Sequence, residues 1–169
     1  MVQPDSKLHE VALEKLNDRG VELNEIAELV YDLQSPYLAE LTFERCLDSV
    51  EAVIRKREVQ NAILTGIELD VLTEEGKLSS PLQEIIEEDE SLYGIDEILA
   101  LSIVNVYGSI GFTNYGFLDK TKPKLIKRLD DHTRSNKTHT FLDDIVGAIA
   151  AAAASRLAHD NPGISEIMQ

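Results

Sequence analysis

The sequence predicts an all-α protein, a compact multi-helix bundle with one central helix at about Phe141–His159 surrounded by the others. Three observations predict it. Apolar residues recur at helical spacing in every long segment, and no stretch alternates apolar and polar residues as a half-buried strand would. Capping residues, prolines and glycines fall where those segments begin and end. The stretch FLDDIVGAIAAAAASRLAH puts two adjacent carboxylates at the head of a run of small residues. At about 100° per residue, Asp144, Gly147, Ala148, Ala151 and Ser155 share one stripe, with Asp143 beside it. So thin a stripe lets neighbouring helices approach closely, as a central helix requires.

The elements follow in order. Asp5 or Ser6 caps a first helix through Asp18, with Leu8, Val11, Ala12 and Leu16 inward and Gly20 ending it. Asn24 caps a second helix, which Pro36 stops. Thr42 opens a third through Val50, Val53 and Ile54, where Arg55-Lys56-Arg57 marks a bend. Glu58–Leu72 continues helically with Val59, Ala62, Ile63 and Gly66 as its packing side, and Glu74–Ser80 is a polar loop. Ser80-Pro81-Leu82-Gln83 reads as a capping box with proline at the first helical position, opening Pro81–Glu88. Ile95–Tyr107 is apolar nearly all round, which predicts a buried helix. Gly108, Gly111 and Gly116 then predict a broken connection, Lys122-Pro123 a short basic helix to Asp131, and Asp131–Lys137 a loop. The central helix is expected to begin near Thr138 or Thr140. No internal repeat or linker appears, so residues 1–159 form one domain and residues 160–169 a frayed tail.

Composition narrows the function. The chain has 169 residues, 43% of them hydrophobic, enough for a sizeable core. Its formal charge of -15, from 31 acidic and 16 basic residues, repels phosphate backbones and anionic lipid surfaces. Nucleic acid is therefore excluded as a partner. Cys46 stands alone, so no disulfide framework or thiolate zinc site is expected. No signal peptide is legible, and no charge-free stretch reaches the length of a membrane span, so the expectation is a cytoplasmic protein.

Three acidic sites flank or occupy buried-looking helices: Asp96-Glu97, Asp119 with Lys122, and Asp143-Asp144. Carboxylates brought together from separate helices suit hard, oxygen-preferring cations, of which Mg²⁺ usually completes its shell with water and substrate phosphate. A lysine beside them suits a phosphoryl group. Without such a shared site, Asp143 and Glu97 serve only the N-termini of their own helices. His139 lies near Asp143 along the chain as a proton donor or a helix-start residue, and Asp70, Glu74 and Glu75 read as a solvated helix end.

The ordered set Asp96-Glu97, Asp119-x-x-Lys122-Pro123-x-x-Ile126 with Asp130, and Leu142-Asp143-Asp144-Ile145-Val146 resembles the signature of the phosphatidylglycerophosphatase A family. The whole chain is similar to that family's soluble branch, the low-temperature-requirement C type proteins of Gram-positive bacteria. The resemblance implies a Mg²⁺-dependent phosphoric monoester hydrolase acting on phosphatidylglycerophosphate or a soluble relative. Asp96, Glu97, Asp119, Asp143 and Asp144 become candidate metal ligands, Asp143, Asp144 and Lys122 candidate catalytic residues, and Lys122 a phosphate contact. The chain departs from the family pattern in several places. It lacks the early glycine-rich motif, the membrane-spanning segments and the Gly-Gly-x-Gly turn before the acid pair; Gly116 stands for an expected arginine and Leu125 for a proline.

Arg55 and Arg57, in the basic cluster, are candidates to supply the missing phosphate grip, or else pair with surface acids. The expected partners are a phosphorylated small molecule or phospholipid headgroup, met transiently at the membrane surface, and a second copy of the chain. A different class remains open: a non-catalytic metal-binding or stress-response protein that kept the fold. A third is an interaction module whose acid pairs are structural.

Overall fold

The structure, a computed structural model, describes residues 5–131 and 136–161, with backbone alone for residues 5 and 6. Among the described residues every regular element is a helix: α1 (Asp5–Asp18), α2 (Leu23–Gln34), α3 (Phe43–Ile54), α4 (Arg57–Glu74), α5 (Leu82–Glu87), α6 (Ile95–Val104), α7 (Gly108–Thr121), α8 (Lys124–Asp130) and α9 (Leu142–His159). A 3₁₀ turn, Asn105–Tyr107, joins α6 to α7.

The core is built around α9. Every residue of α9 except Arg156 and His159 is buried, and α2, α3, α4, α6, α7 and α8 all pack on it, while α1 packs on α4. The small side chains of Ala148–Ala154 make so many neighbours possible, because a thin helix lets surrounding backbones close in. The facing helices supply bulk on one side each: Ile26, Leu29 and Val30 from α2, and Val50, Val53 and Ile54 from α3. Two buried hydrogen-bonding side chains pin the arrangement. Ser49 Oγ donates to the Ala153 carbonyl at 2.9 Å, and Gln60 Nε2 donates to the carbonyls of Ile54 and Arg55 at the α3–α4 bend. Gly66 of α4 lies so close to α9 that a Cβ there would meet Ile145 Cδ1 at 2.3 Å.

Several boundaries differ from the sequence reading. The cap of α2 is Glu22, in a capping box with Glu25, rather than Asn24. Pro81 is itself the N-cap of α5 and makes no side-chain cap; Gln83 instead reaches the Leu78 N–H and the Thr73 carbonyl. Lys122-Pro123 ends α7 and precedes α8, which starts at Lys124.

The segment read as a broken, glycine-rich connection is one helix, α7. Its glycines cost helix propensity, but Gly111 seats the helix within 3.0 Å of Val104 Cγ1 (measured to an added Cβ), and packing along α9 outweighs the cost. α6 is not wholly buried, since Ile95 and Ile98 are 53% and 62% exposed. Taken together, Ile95–Thr121 is long and apolar enough to cross a membrane by length and composition, which corrects the expectation that no stretch is. Its charges cluster at the two ends and leave Ile98–Leu118 uncharged. Here it folds back on itself at Gly108 (φ +74°) and lies along α9. The tail from residue 162 and the loop at 132–135 lie outside the described residues.

Candidate functional site

The chain brings three helix ends to one place. Gly94, in the left-handed conformation at φ +69°, starts α6 and sets Asp96 and Glu97 in its first turn. α7 ends with Asp119 in its last turn and Lys122 as its left-handed C-cap, φ +41°, the Lys122 N–H bonding the Leu118 carbonyl. α9 begins with Asp143 and Asp144 in its first turn. Between these ends and the loop carrying Asp89, Glu90 and Ser91 lies a cavity of about 240 Å³. Asp96, Glu97, Asp119, Lys122, Asp143 and Asp144 all line it, so the three acidic sites that spacing alone left separate share one chamber.

Within it the two adjacent aspartates differ. Both oxygens of Asp143 are engaged: Oδ2 accepts from Lys122 Nζ at 3.1 Å, and Oδ1 from the backbone N–H of Asp144 at 2.9 Å. Lys122 Nζ also donates to Asp130 Oδ1 at 2.8 Å, so the lysine is held between two helices. Burial works against its charge, but Asp143 and Asp130 outweigh it and raise the amine above its ordinary range. Among the described residues the side chain of Asp144 makes no such bond, and Asp96 Oδ1 is buried without a partner. Burial pushes the carboxyls of Asp143, Asp144 and Asp96 up. At Asp144 the neighbouring Asp143, Asp96 and Asp119 add to the rise; at Asp143 the Lys122 charge opposes it.

The stretch leading into α9 is fixed from α4 and from Arg19, just past the end of α1. Asp70, fully buried, accepts the N–H of Phe141 at Oδ1 and of Leu142 at Oδ2, both at 3.1 Å. One turn on, Glu74 accepts from Arg19 and from the Thr138 N–H, while Arg19 also donates to the Thr138 carbonyl. Asp70 and Glu74 are therefore not solvated, contrary to the sequence reading; Glu75 alone of the three stays outside, paired with Lys77. The signal was present in the register: Asp70 falls seven residues after Ile63 and four after Gly66, on the packing side of α4.

Other candidates lie elsewhere. Arg55 pairs with Glu51 on the surface, and Arg57 opens α4 at the bend. The intervening Lys56 sits over Tyr107, whose carbonyl accepts from Ser155, so this corner is ~18 Å along α9 from Asp143. Neither Arg55 nor Arg57 is among the residues lining the acidic cavity. His139 is buried; its Nδ1–H donates to the Leu129 carbonyl at 3.0 Å, and it does not line the cavity either.

The donor set is all carboxylate oxygen with one ammonium, which suits a hard divalent cation and not a soft one. Asp144 and the unpartnered Asp96 oxygen are where such an ion finds ligands without displacing an existing bond. Among the described residues no three acidic, histidine or cysteine side chains are already drawn to one point at ligand distance.

Fold and cavity together define an all-α protein with an acidic, lysine-bearing chamber at the head of its central helix. The chain belongs to the phosphatidylglycerophosphatase A family, whose model matches residues 23–159. It is 62% identical over 154 residues to the uncharacterized protein YutG of Bacillus subtilis (strain 168), covering 91% of this chain and 92% of that protein. Among solved structures it resembles the low temperature requirement C protein of Listeria monocytogenes, at a TM-score of 0.89 and 62% identity, covering 93% of this chain and 98% of that one. It also resembles protein YpjQ of Bacillus subtilis, at a TM-score of 0.90 and 50% identity, covering 96% and 99%.

Proposed function

We propose that the protein is a Mg²⁺-dependent phosphatase that hydrolyses a phosphomonoester of the phosphatidylglycerophosphate type or a soluble relative. The observation that carries this reading is the convergence of Asp96, Glu97, Asp119, Asp143 and Asp144 with Lys122 on one cavity. On this reading Asp144 and Asp96 are the first ligands, with Glu97 and Asp119 completing the set. Asp143 orients Lys122 and the start of α9. Lys122 meets the phosphoryl oxygens as a fixed point charge. A divalent cation bound there would polarise a phosphoryl oxygen and orient the attacking water. The protein would work in the cytoplasm, meet the membrane surface transiently to reach a lipid headgroup, and self-associate.

Phosphate release from phosphatidylglycerophosphate and a panel of small phosphomonoesters, with Mg²⁺ and with chelator, tests the proposal. Release is expected to vanish on chelation and in Asp144→Asn, which should also lose tight Mn²⁺ binding while its far-UV circular dichroism stays unchanged. Unaltered Mn²⁺ affinity in that variant would sink the site.

One observation favours a second reading, a metal-binding protein without catalysis. Among the described residues Lys122 is the one cation lining the cavity, and it is already bound to Asp130 and Asp143. Metal binding with no phosphate release from any substrate would select it.

A further inference from the structure

We propose that Asp70 is a positioning residue for the acidic cavity, setting the first turn of α9 and through it the direction of Asp144. The inference rests on the metal-binding reading of the cavity and goes beyond it, because Asp70 neither lines the cavity nor belongs to any of its three acidic motifs.

A helix leaves its first N–H groups without intrahelical partners, and they are ordinarily capped by a side chain of the preceding residue. α9 has no such cap: its N-cap, Phe141, offers no side-chain acceptor. Asp70 supplies the cap from another helix, one oxygen to the N–H of Phe141 and the other to that of Leu142. Two bonds to consecutive amides fix a direction as well as a position. The next residues are Asp143 and Asp144, with no flexible link between. The anchor is itself held on a buried stretch of α4, since Gly66 and Ile67, one turn before Asp70, press against the core and against Ile145. Asp70 thus plays toward Asp144 the part an outer-shell partner plays toward a metal ligand.

The test compares Mn²⁺ binding to wild type, Asp70→Asn and Ser49→Ala by titration calorimetry. Asparagine keeps the shape but turns one acceptor into an N–H donor facing a backbone N–H. Ser49→Ala removes a buried hydrogen bond to the other end of α9, at Ala153, and so reports on general loosening. Asp70→Asn is expected to weaken Mn²⁺ binding about 10–100-fold while Ser49→Ala leaves it unchanged. Equal affinity in folded Asp70→Asn and wild type overturns the inference, as does equal weakening in Ser49→Ala, which would make the effect one of stability. Failure of wild type to bind Mn²⁺ would overturn the metal reading itself, and the inference with it. Where Asp70→Asn does not fold, Asp70→Glu, which carries both acceptors one methylene further out, is judged by the same criterion.

Discussion

Gly66 of α4 and Gly147 of α9 both sit where the central helix meets its neighbours, and the same substitution should have opposite effects at the two. Both lie in helix interiors, so alanine gains ~1 kcal/mol of helix propensity at each. At Gly66 the new methyl would meet Ile145 Cδ1 at 2.3 Å, Phe141 Cβ at 3.1 Å and Leu99 Cδ2 at 3.3 Å. Ile145 is fully buried, and a Cβ atom such as that of Phe141 cannot move without its backbone. Overpacking of this kind costs ~1–3 kcal/mol, and with two constrained neighbours the upper end applies. Gly66→Ala is therefore expected to lose a net ~2 kcal/mol, a fall in Tm of about 4–8 °C for a chain of this size. At Gly147 the nearest atom is Ile126 Cδ1 at 3.5 Å, with Tyr115 beyond, which is ordinary contact. Gly147→Ala is expected to keep most of the propensity gain and melt about 2–4 °C higher. Far-UV circular dichroism melts in chelator measure both. Equal stability of Gly66→Ala and wild type, or matching losses in the two variants, would refute the close approach of α4 to α9.

Three further outcomes follow. Lys122→Met strands Asp143, which is 5% exposed, and should cost about 2–3 kcal/mol by chemical denaturation, less than a fully buried pair because Lys122 keeps 32% exposure; adding Asp143→Asn should recover part of the loss, and no recovery would argue against the pair. Asp144→Asn removes a buried carboxylate that has no hydrogen-bond partner among the described residues, so in chelator it should melt at or above wild type; a lower Tm would mean the carboxylate is held by something in the fold. The third concerns pH. Burial raises Asp70 to about 8, so the native state keeps a proton that the unfolded chain releases near the ordinary carboxylate value. The native state then binds more protons, and stability contributed at this residue falls as pH rises from about 4 to about 8, by up to ~1.4 kcal/mol per unit. Wild type should lose more stability than Asp70→Asn between pH 5 and 8, and parallel pH profiles would contradict the assignment.

The central helix was legible because its signal is local: a small-residue stripe behind an acid pair describes a helix that others crowd. The acids that line the cavity stood out for a similar reason, each lying at a helix end marked by Gly94, Pro123 or the change of composition at Phe141. Their meeting was not, because it depends on α6, α7 and α9 ending at the same level, which no spacing within one helix encodes. The α7 error has a definite physical source. Three glycines lower intrinsic propensity over Gly108–Thr121, but the contact of this segment with α9 supplies what propensity does not, and tertiary packing wins. Asp70 and Glu74 were missed because charge near a helix end reads as solvated, while their partners, Phe141, Leu142, Arg19 and Thr138, lie more than fifty residues away in sequence.

The position of the cavity at the head of α9 has an electrostatic consequence that ties fold to function. Asp143 and Asp144 sit in the first turn of α9, and Asp96 and Glu97 in the first turn of α6, so the N-terminal ends of two helix dipoles face these acids. Each end supplies roughly half a positive charge. Among the described residues, these and Lys122 still fall short of the five carboxylates that the helix ends bring to the chamber, Asp96, Glu97, Asp119, Asp143 and Asp144. A charge imbalance of that size is relieved either by protons or by a bound cation. The upward pull on Asp96, Asp143 and Asp144 is the proton route, driven by burial. It is a costly resting state for residues that could instead have been alanine, the residue that fills most of the same helix two turns on. A fold seeking only stability would put small apolar residues at the head of α9 as it does along its middle. On the proposed function, the acids at this end, anchored from α4 and α8, are kept for a ligand of opposite charge.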